Sequence, residues 1–142
     1  MAYKTPSVEK FIAGDDTYAN TISDLRANYG LTREATRTNK DNLRADFNTL
    51  RSRMRQQQSQ DNRSLDSDFA ARGMLGSGLE LDASTKLDQN YNNQFTDAQQ
   101  SRNRNLSQLD MDLSAARTLR DQQFQDARLN AIRRRAEKYG IR

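Results

Sequence analysis

Cysteine, histidine and tryptophan are all absent from this sequence of 142 residues, and proline occurs once, at Pro6. Without cysteine no disulfide can form, and without cysteine or histidine the common zinc and copper ligand sets cannot be assembled. Because proline is the residue that interrupts helices most strongly, the chain after residue 6 has no obligatory helix break. We therefore expect long helices and no metal or other cofactor.

Apolar residues are also scarce, at 34% of the chain, with 7% aromatic. This is little material for an ordinary globular core, and disorder is the obvious alternative for so polar a chain. The single proline and the periodic apolar residues argue against disorder. No apolar run approaches the roughly 18 residues that span a bilayer, and the first residues lack the apolar core of a signal peptide. We expect a soluble chain without a membrane span.

Helical periodicity is the main signal in the first half of the chain. Apolar side chains recur at steps of three or four residues, which places them on one face of a helix. The same spacing occurs before residue 30, at Tyr18, Ile22, Leu25 and Tyr29. The helix-packing residues predicted after it are Leu43, Phe47, Leu50, Met54, Leu65 and Phe69.

The second half has a longer repeat. Steps of four, four and three residues give an eleven-residue period, which favours a straight or slightly right-handed bundle over a left-handed heptad coil. Its stripe comprises Leu87, Tyr91, Phe95, Ala98, Arg102, Leu106, Leu109, Leu113 and Ala116. Polar residues, namely Gln58, Asp61 and Arg102, interrupt the two stripes. These positions either face water, which is the simpler interpretation, or restrict the register of the packed helices.

Glycines mark the expected helix boundaries. Gly30 resembles a residue that follows a helix C-terminus, and Thr32 resembles the N-cap of the next helix. We predict helices at 15–29, 32–72 and 79–138, with a turn at 73–78. The predicted fold is all-α: an elongated antiparallel helical hairpin with a short N-terminal helix, assembling with other copies or partners. Residues 1–14 are an N-terminal arm, and 15–142 a single elongated helical domain.

The glycine cluster in DFAARGMLGSGLEL (68–81) is the one segment that suggests a catalytic or phosphate-binding loop. A nucleophile elbow requires Gly-x-Ser-x-Gly, but leucines stand at both outer positions around Ser77. A Walker loop requires a lysine and a preceding strand, which are both missing. A turn explains the cluster better: Gly73 ends the first arm, Gly76 and Gly78 permit the reversal, and Ser77 caps the second arm. No catalytic or cofactor-binding residue is identified, and we expect a protein that is not an enzyme.

Positive charge is concentrated at the C-terminus. Residues 128–142 carry six basic side chains and one acid, a net charge of +5, whereas the rest of the chain carries a net charge of −1. Cations complement the dipole at a helix C-terminus, but one or two suffice for that. The others could contact phosphates, as in DNA, or an acidic protein surface. These residues are Arg128, Arg133, Arg134, Arg135, Lys138 and Arg142.

The turn also carries a resemblance. The segment from Arg72 to Gly78, RGMLGSG, is preceded by two alanines and followed by a polar helix rich in Gln, Asn, Asp and Arg. It resembles the "arginine, glycine, hydrophobic, two residues, serine, glycine" segment of helical structural proteins of tailed bacteriophages, which include tail, connector-associated and internal ejection components. The resemblance implies a role in the virion, with helices packed repeatedly around an axis.

Three functional hypotheses follow. The first is a non-enzymatic phage structural protein, present in several copies in the virion after assembly in the host cytoplasm, and bound to the portal, tail or tail-tube region. Its partners would be further copies of itself and other virion proteins. The second is an assembly scaffold that is lost on maturation. The third is a coiled-coil DNA-binding protein whose basic C-terminus makes non-specific phosphate contacts.

Overall fold

The computed structural model describes residues 7–140, and its regular elements over that range are three α-helices. They are α1 (Val8–Ile12), α2 (Asp16–Ala71) and α3 (Gly78–Lys138). The structure confirms the predicted all-α class, with one short N-terminal helix followed by two long helices that pack as a hairpin.

The predicted helix break at Gly30 is wrong, because α2 continues through it. Gly30 does not have positive φ, and the Thr32 hydroxyl donates to the Asn28 carbonyl at 3.1 Å instead of capping a new helix. A glycine inside a helix costs about 1 kcal/mol relative to alanine. Packing offsets this cost, since the ring of Tyr29 lies 4.2 Å from the Arg120 guanidinium on α3. The segments 15–29 and 32–72 therefore form one helix.

The short N-terminal helix lies earlier in the chain than predicted, inside the N-terminal arm. Ser7 is its N-cap, and the Ser7 hydroxyl accepts from the Lys10 N–H at 3.4 Å. Asp15 directly precedes α2, and its carboxylate accepts from the Tyr18 N–H at 2.9 Å. Such caps satisfy the free N–H groups of a first helical turn. The predicted N-terminal arm, residues 1–14, thus contains α1. Residues 1–6 of this arm lie outside the described range.

The described part of the chain divides into two compact units that both draw on α2 and α3. Unit 1 contains the residues up to Arg37 and those from Asp110 onward, and unit 2 contains Thr38–Leu109. Unit 2 is therefore a continuous stretch of chain that includes the turn, whereas unit 1 brings together two stretches that are distant in the sequence. The organisation of 15–142 as a single domain stays a prediction.

Unit 2 is an antiparallel helical hairpin. Residues 30 apart meet near the turn, where Gln58 donates to Asp88 at 2.9 Å. Farther from the turn, the rings of Phe47 and Phe95 meet edge to face with centroids 5.9 Å apart. Phe47 is 9% exposed and is the only large apolar side chain of unit 2 that is buried. The seam of this hairpin is consequently narrow.

Unit 1 combines α1 with the first part of α2 and the last part of α3. Its buried residues include Ile12 at 2%, Ala127 at 8% and Ala131 at 0% exposure. The two alanines are one helical turn apart on α3 and so lie on the same face. Tyr29 on α2 contacts α3 as well, accepting from the Arg117 guanidinium at 3.2 Å.

The predicted packing residues are the six of the first half together with Leu87, Tyr91, Phe95, Leu106, Leu109 and Leu113 of the second. Among these twelve, Leu50 is the exception, because its side chain is 44% exposed. The others are buried or half-buried. Only one helix packs against α2 in unit 2, and this helix covers a strip that includes Phe47 and Met54 but leaves Leu50 at the edge. Arg102, by contrast, belongs to the strip, because its guanidinium lies 4.2 Å from the centroid of the Phe47 ring.

Candidate functional site

The glycine-rich turn has a well-defined local geometry. Gly73 and Gly76 have φ of 67° and 76°, in the left-handed region that side chains with a Cβ disfavour. The Met74 N–H donates to the Phe69 carbonyl at 2.8 Å, which closes the end of α2. Gly78, in contrast, is the first residue of α3 and has no positive φ, so the prediction that it takes part in the reversal is wrong.

Ser77 caps the start of α3. Its hydroxyl accepts from the Glu80 N–H at 3.2 Å, and the Glu80 carboxylate in turn accepts from the Gly76 N–H. A serine and a glutamate three residues apart commonly satisfy the first turn of a helix in this way. The Ser77 hydroxyl therefore has a structural partner, and the turn presents Leu75 and Leu79 to the surface, 63% and 62% exposed.

Two of the C-terminal arginines form ion pairs with the N-terminal segment. The Arg128 guanidinium lies 3.1 Å from the Glu9 carboxylate. Arg134 makes two contacts with Asp15, at 3.1 Å through Nε and 3.3 Å through Nη2. The Arg134–Asp15 pair is therefore bidentate, which is the geometry in which a guanidinium matches a carboxylate best.

Arg135 contacts the N-terminal segment between Glu9 and Asp15, and within residues 7–140 it forms no ion pair with a carboxylate. Its Nε donates to the Phe11 carbonyl at 3.0 Å, and its guanidinium lies 5.3 Å from the centroid of the Tyr139 ring. The Phe11 and Tyr139 rings are 6.3 Å apart. A Cβ at Gly14 would clash with Arg135 Nη2, so the guanidinium occupies the space beside this glycine.

These contacts shift the titration of the two carboxyl groups. The pKa of Glu9 is lowered, first by a hydrogen bond from its own backbone and then by Arg128. The pKa of Asp15 is lowered, first by the hydrogen bond from Arg134 and then by the backbone N–H of Tyr18. Both groups are thus held in the charged form that the arginines bind.

The six basic residues predicted as one contact site fall into three groups. Arg128, Arg134 and Arg135 bind the N-terminal segment, as described above. Arg133 and Lys138 are exposed, and no partner for either is described among residues 7–140. Arg142 lies outside the described residues. Charge composition identified the basic end, but it missed the acidic segment opposite, because Glu9 and Asp15 stand more than 110 residues earlier in the chain.

A second polar cluster lies in the seam of unit 2. The Tyr91 hydroxyl donates to Asp61, which raises the pKa of Tyr91 because the nearby carboxylate disfavours the phenolate. On the same stretch of helix, Gln58 and Asn62 donate to Asp88 at 2.9 Å and 3.4 Å. The polar positions of the stripe therefore bridge the helices, and the interpretation that they simply face water is wrong for Gln58 and Asp61.

No protein-family model, curated protein sequence or solved structure matches this chain. Among residues 7–140, none of the helices combines the length and the apolar character needed to cross a membrane. The same range contains no group of three or more acidic side chains placed to hold a metal ion.

Proposed function

We propose that this protein is a non-enzymatic structural component of a tailed-phage virion, present in several copies and bound to the portal, tail or tail-tube region. The observation that carries the proposal is the small amount of burial in two long helices. Over the described residues, five side chains are buried, whereas ten large apolar side chains are exposed. Contacts with other copies or with partner proteins would bury part of this exposed surface.

The stability of the two long helices depends on two opposing free-energy terms. Ordering each backbone residue costs about 1 to 2 kcal/mol, and burying a large apolar side chain returns roughly 1.5 to 3 kcal/mol. Phe47 and Ile12 are the only large apolar side chains that are buried among the described residues. Long helices draw most of their stability from packing. Association is the simplest source of the packing that the isolated chain lacks.

The resemblance of the turn to phage structural proteins supports the virion part of the proposal. In this chain the segment has a mechanical role, since Gly73 and Gly76 reverse the direction of the backbone and Ser77 begins the next helix. A turn of this kind lets two long helices fold back and present their outer faces to neighbours. Such a role requires neither a substrate nor a cofactor.

The test is quantitative mass spectrometry of particles purified from cultures that encode this chain. We expect the chain in mature particles, in several copies per portal or tail. Its absence from every particle would refute the proposal. Presence in precursor particles combined with loss from mature ones would instead identify an assembly scaffold.

DNA binding is the second candidate, and the exposed side chains of Arg133 and Lys138 favour it. Contact would be with phosphates and without sequence preference. A gel-retardation assay at two salt concentrations tests it, because phosphate-driven binding weakens steeply as salt is raised. Absence of a shifted band at low salt would exclude this candidate.

A further inference from the structure

The C-terminal end of α3 binds a peptide segment of defined chemistry. This docked segment, residues 8–15, consists of α1 and the residues that connect it to α2. Its two carboxylates meet Arg128 and Arg134, and its backbone meets Arg135 through the Phe11 carbonyl. The end of α3 therefore recognises acidic groups at two positions and a carbonyl between them.

The docked segment also makes apolar contributions. Ile12 is 2% exposed, and the Phe11 ring packs near the Tyr139 ring. On α3, the small side chains of Ala127 and Ala131 are buried on one face, one turn apart. An amphipathic helical turn with an aromatic and an aliphatic residue is thus held between two ion pairs.

Charge complementarity matches this chemistry. Residues 128–138 contain five basic side chains and a single acid, Glu137. Three of the basic residues bind the docked segment, and the other two, Arg133 and Lys138, are exposed. The C-terminal end of α3 consequently carries more positive charge than α1 matches, and a more acidic segment would be attracted to it more strongly.

The two ion pairs that hold the docked segment differ in exposure: the Asp15 side chain is only 8% exposed, whereas the Glu9–Arg128 pair lies at the surface. The Glu9 side chain is 73% exposed and Arg128 38%, and exposed ion pairs of this kind contribute little to stability. A helix of five residues has almost no stability without its packing surface. A longer segment with the same chemistry would compete with α1 for Arg128, Arg134 and Arg135 by supplying packing of its own.

We propose that the C-terminal end of α3 is a docking site for an acidic, amphipathic helical segment of a partner protein, and that α1 is its intramolecular occupant. The proposal rests on the proposed function in one respect, namely that a structural component has a partner protein. A protein segment fits better than a nucleic acid, because a phosphate backbone has no equivalent of the apolar side chains of Phe11 and Ile12.

The experiment uses the full chain and a fluorescent peptide with the sequence of residues 7–16, SVEKFIAGDD. The double variant Glu9→Gln/Asp15→Asn weakens the resident segment by removing both carboxylates. The control, Asp66→Asn/Asp97→Asn, makes the same change in net charge at exposed acids of unit 2. Fluorescence anisotropy at low ionic strength measures binding of the peptide to each protein, with duplex DNA of about 20 base pairs titrated in parallel.

We expect the peptide to bind the Glu9→Gln/Asp15→Asn variant about fivefold more tightly than the parent chain, because occupancy by α1 lowers the apparent affinity by the free fraction of the site. The control variant should bind as the parent chain does. A third variant, Arg128→Gln/Arg134→Gln, should lose the peptide while keeping its helical circular dichroism.

Two results would overturn the inference. Equal peptide affinities for the first variant and its control would show that α1 does not compete for the site. If the Glu9→Gln/Asp15→Asn variant bound duplex DNA more tightly than the control did, but did not bind the peptide more tightly, the arginines would form a phosphate site. Neither result bears on whether the chain is present in particles, so the proposed function fails or stands separately.

Discussion

Replacing Phe47 with alanine should destabilise the hairpin more than any other single truncation in unit 2. Phe47 is 9% exposed, its ring packs edge to face on Phe95, and Arg102 covers its face. Truncation of a buried phenylalanine costs about 3 to 5 kcal/mol. We expect about 3 kcal/mol here, since the narrow seam lets water or neighbouring side chains reach part of the space.

Part of this loss belongs to the ring itself. An aromatic pair contributes about 0.5 to 1.5 kcal/mol beyond its buried area, and a cation over a ring roughly 0.5 to 1 kcal/mol. Phe47→Leu, which keeps most of the apolar volume, should therefore still cost about 1 to 2 kcal/mol. A double-mutant cycle of Phe47→Leu with Arg102→Met should give a coupling of about 0.5 to 1 kcal/mol.

The assay is urea unfolding followed by circular dichroism, with all variants at one protein concentration. Leu50→Ala is the matched control, because Leu50 lies three residues away on the same helix but is 44% exposed. It should cost less than about 1 kcal/mol, since full burial of a leucine contributes only about 1.5 to 3 kcal/mol. Equal costs for Phe47→Ala and Leu50→Ala would refute the position of the seam.

Glycine substitutions should have opposite effects at two positions. Gly73→Ala should destabilise the chain by about 1 kcal/mol, because residue 73 has a φ of 67°. Gly30 lies inside α2, where an added Cβ would meet no atom within 4 Å, so Gly30→Ala should stabilise the chain by up to about 1 kcal/mol. Thermal melts of both variants show whether the two changes in stability have opposite signs. Docking of α1 should depend on pH, because the pKa values of Glu9 and Asp15 are lowered in the folded chain. The contribution of the two carboxylates to docking is therefore complete above their ordinary pKa values of 4.5 and 3.8, and it is lost as the pH falls below them. Fluorescence of a probe on α1, recorded from pH 7 to pH 2, should report this release, and an unchanged signal would contradict it.

The helical hairpin could be predicted because its evidence is local. Apolar residues such as Leu43 and Phe47, or Tyr91 and Phe95, follow helical spacing, and the glycines at 73 and 76 stand between the two stripes. The prediction of a helix break at Gly30 is wrong for a physical reason. A glycine lowers helix propensity only modestly, and the contacts of Tyr29 with Arg117 and Arg120 on α3 favour the continuous helix.

Features that depend on distant contacts could not be predicted from the sequence. The helix α1 has five residues, too few for a periodic pattern, and it is held by arginines at the other end of the chain. The position of Arg102 in the seam was also ambiguous, because its role depends on the Phe47 ring that faces it. The sequence identified the basic C-terminus but not the segment that it binds.

The central claim is that the isolated chain has too little packing and becomes fully ordered through association. Circular dichroism over a hundredfold dilution series, combined with sedimentation, tests it most directly. We predict that helix content and the thermal midpoint rise with protein concentration while oligomers form, because binding only the folded form stabilises it by mass action. A fully helical monomer with a cooperative melt that does not depend on concentration would contradict the claim and show that the contacts within one chain suffice.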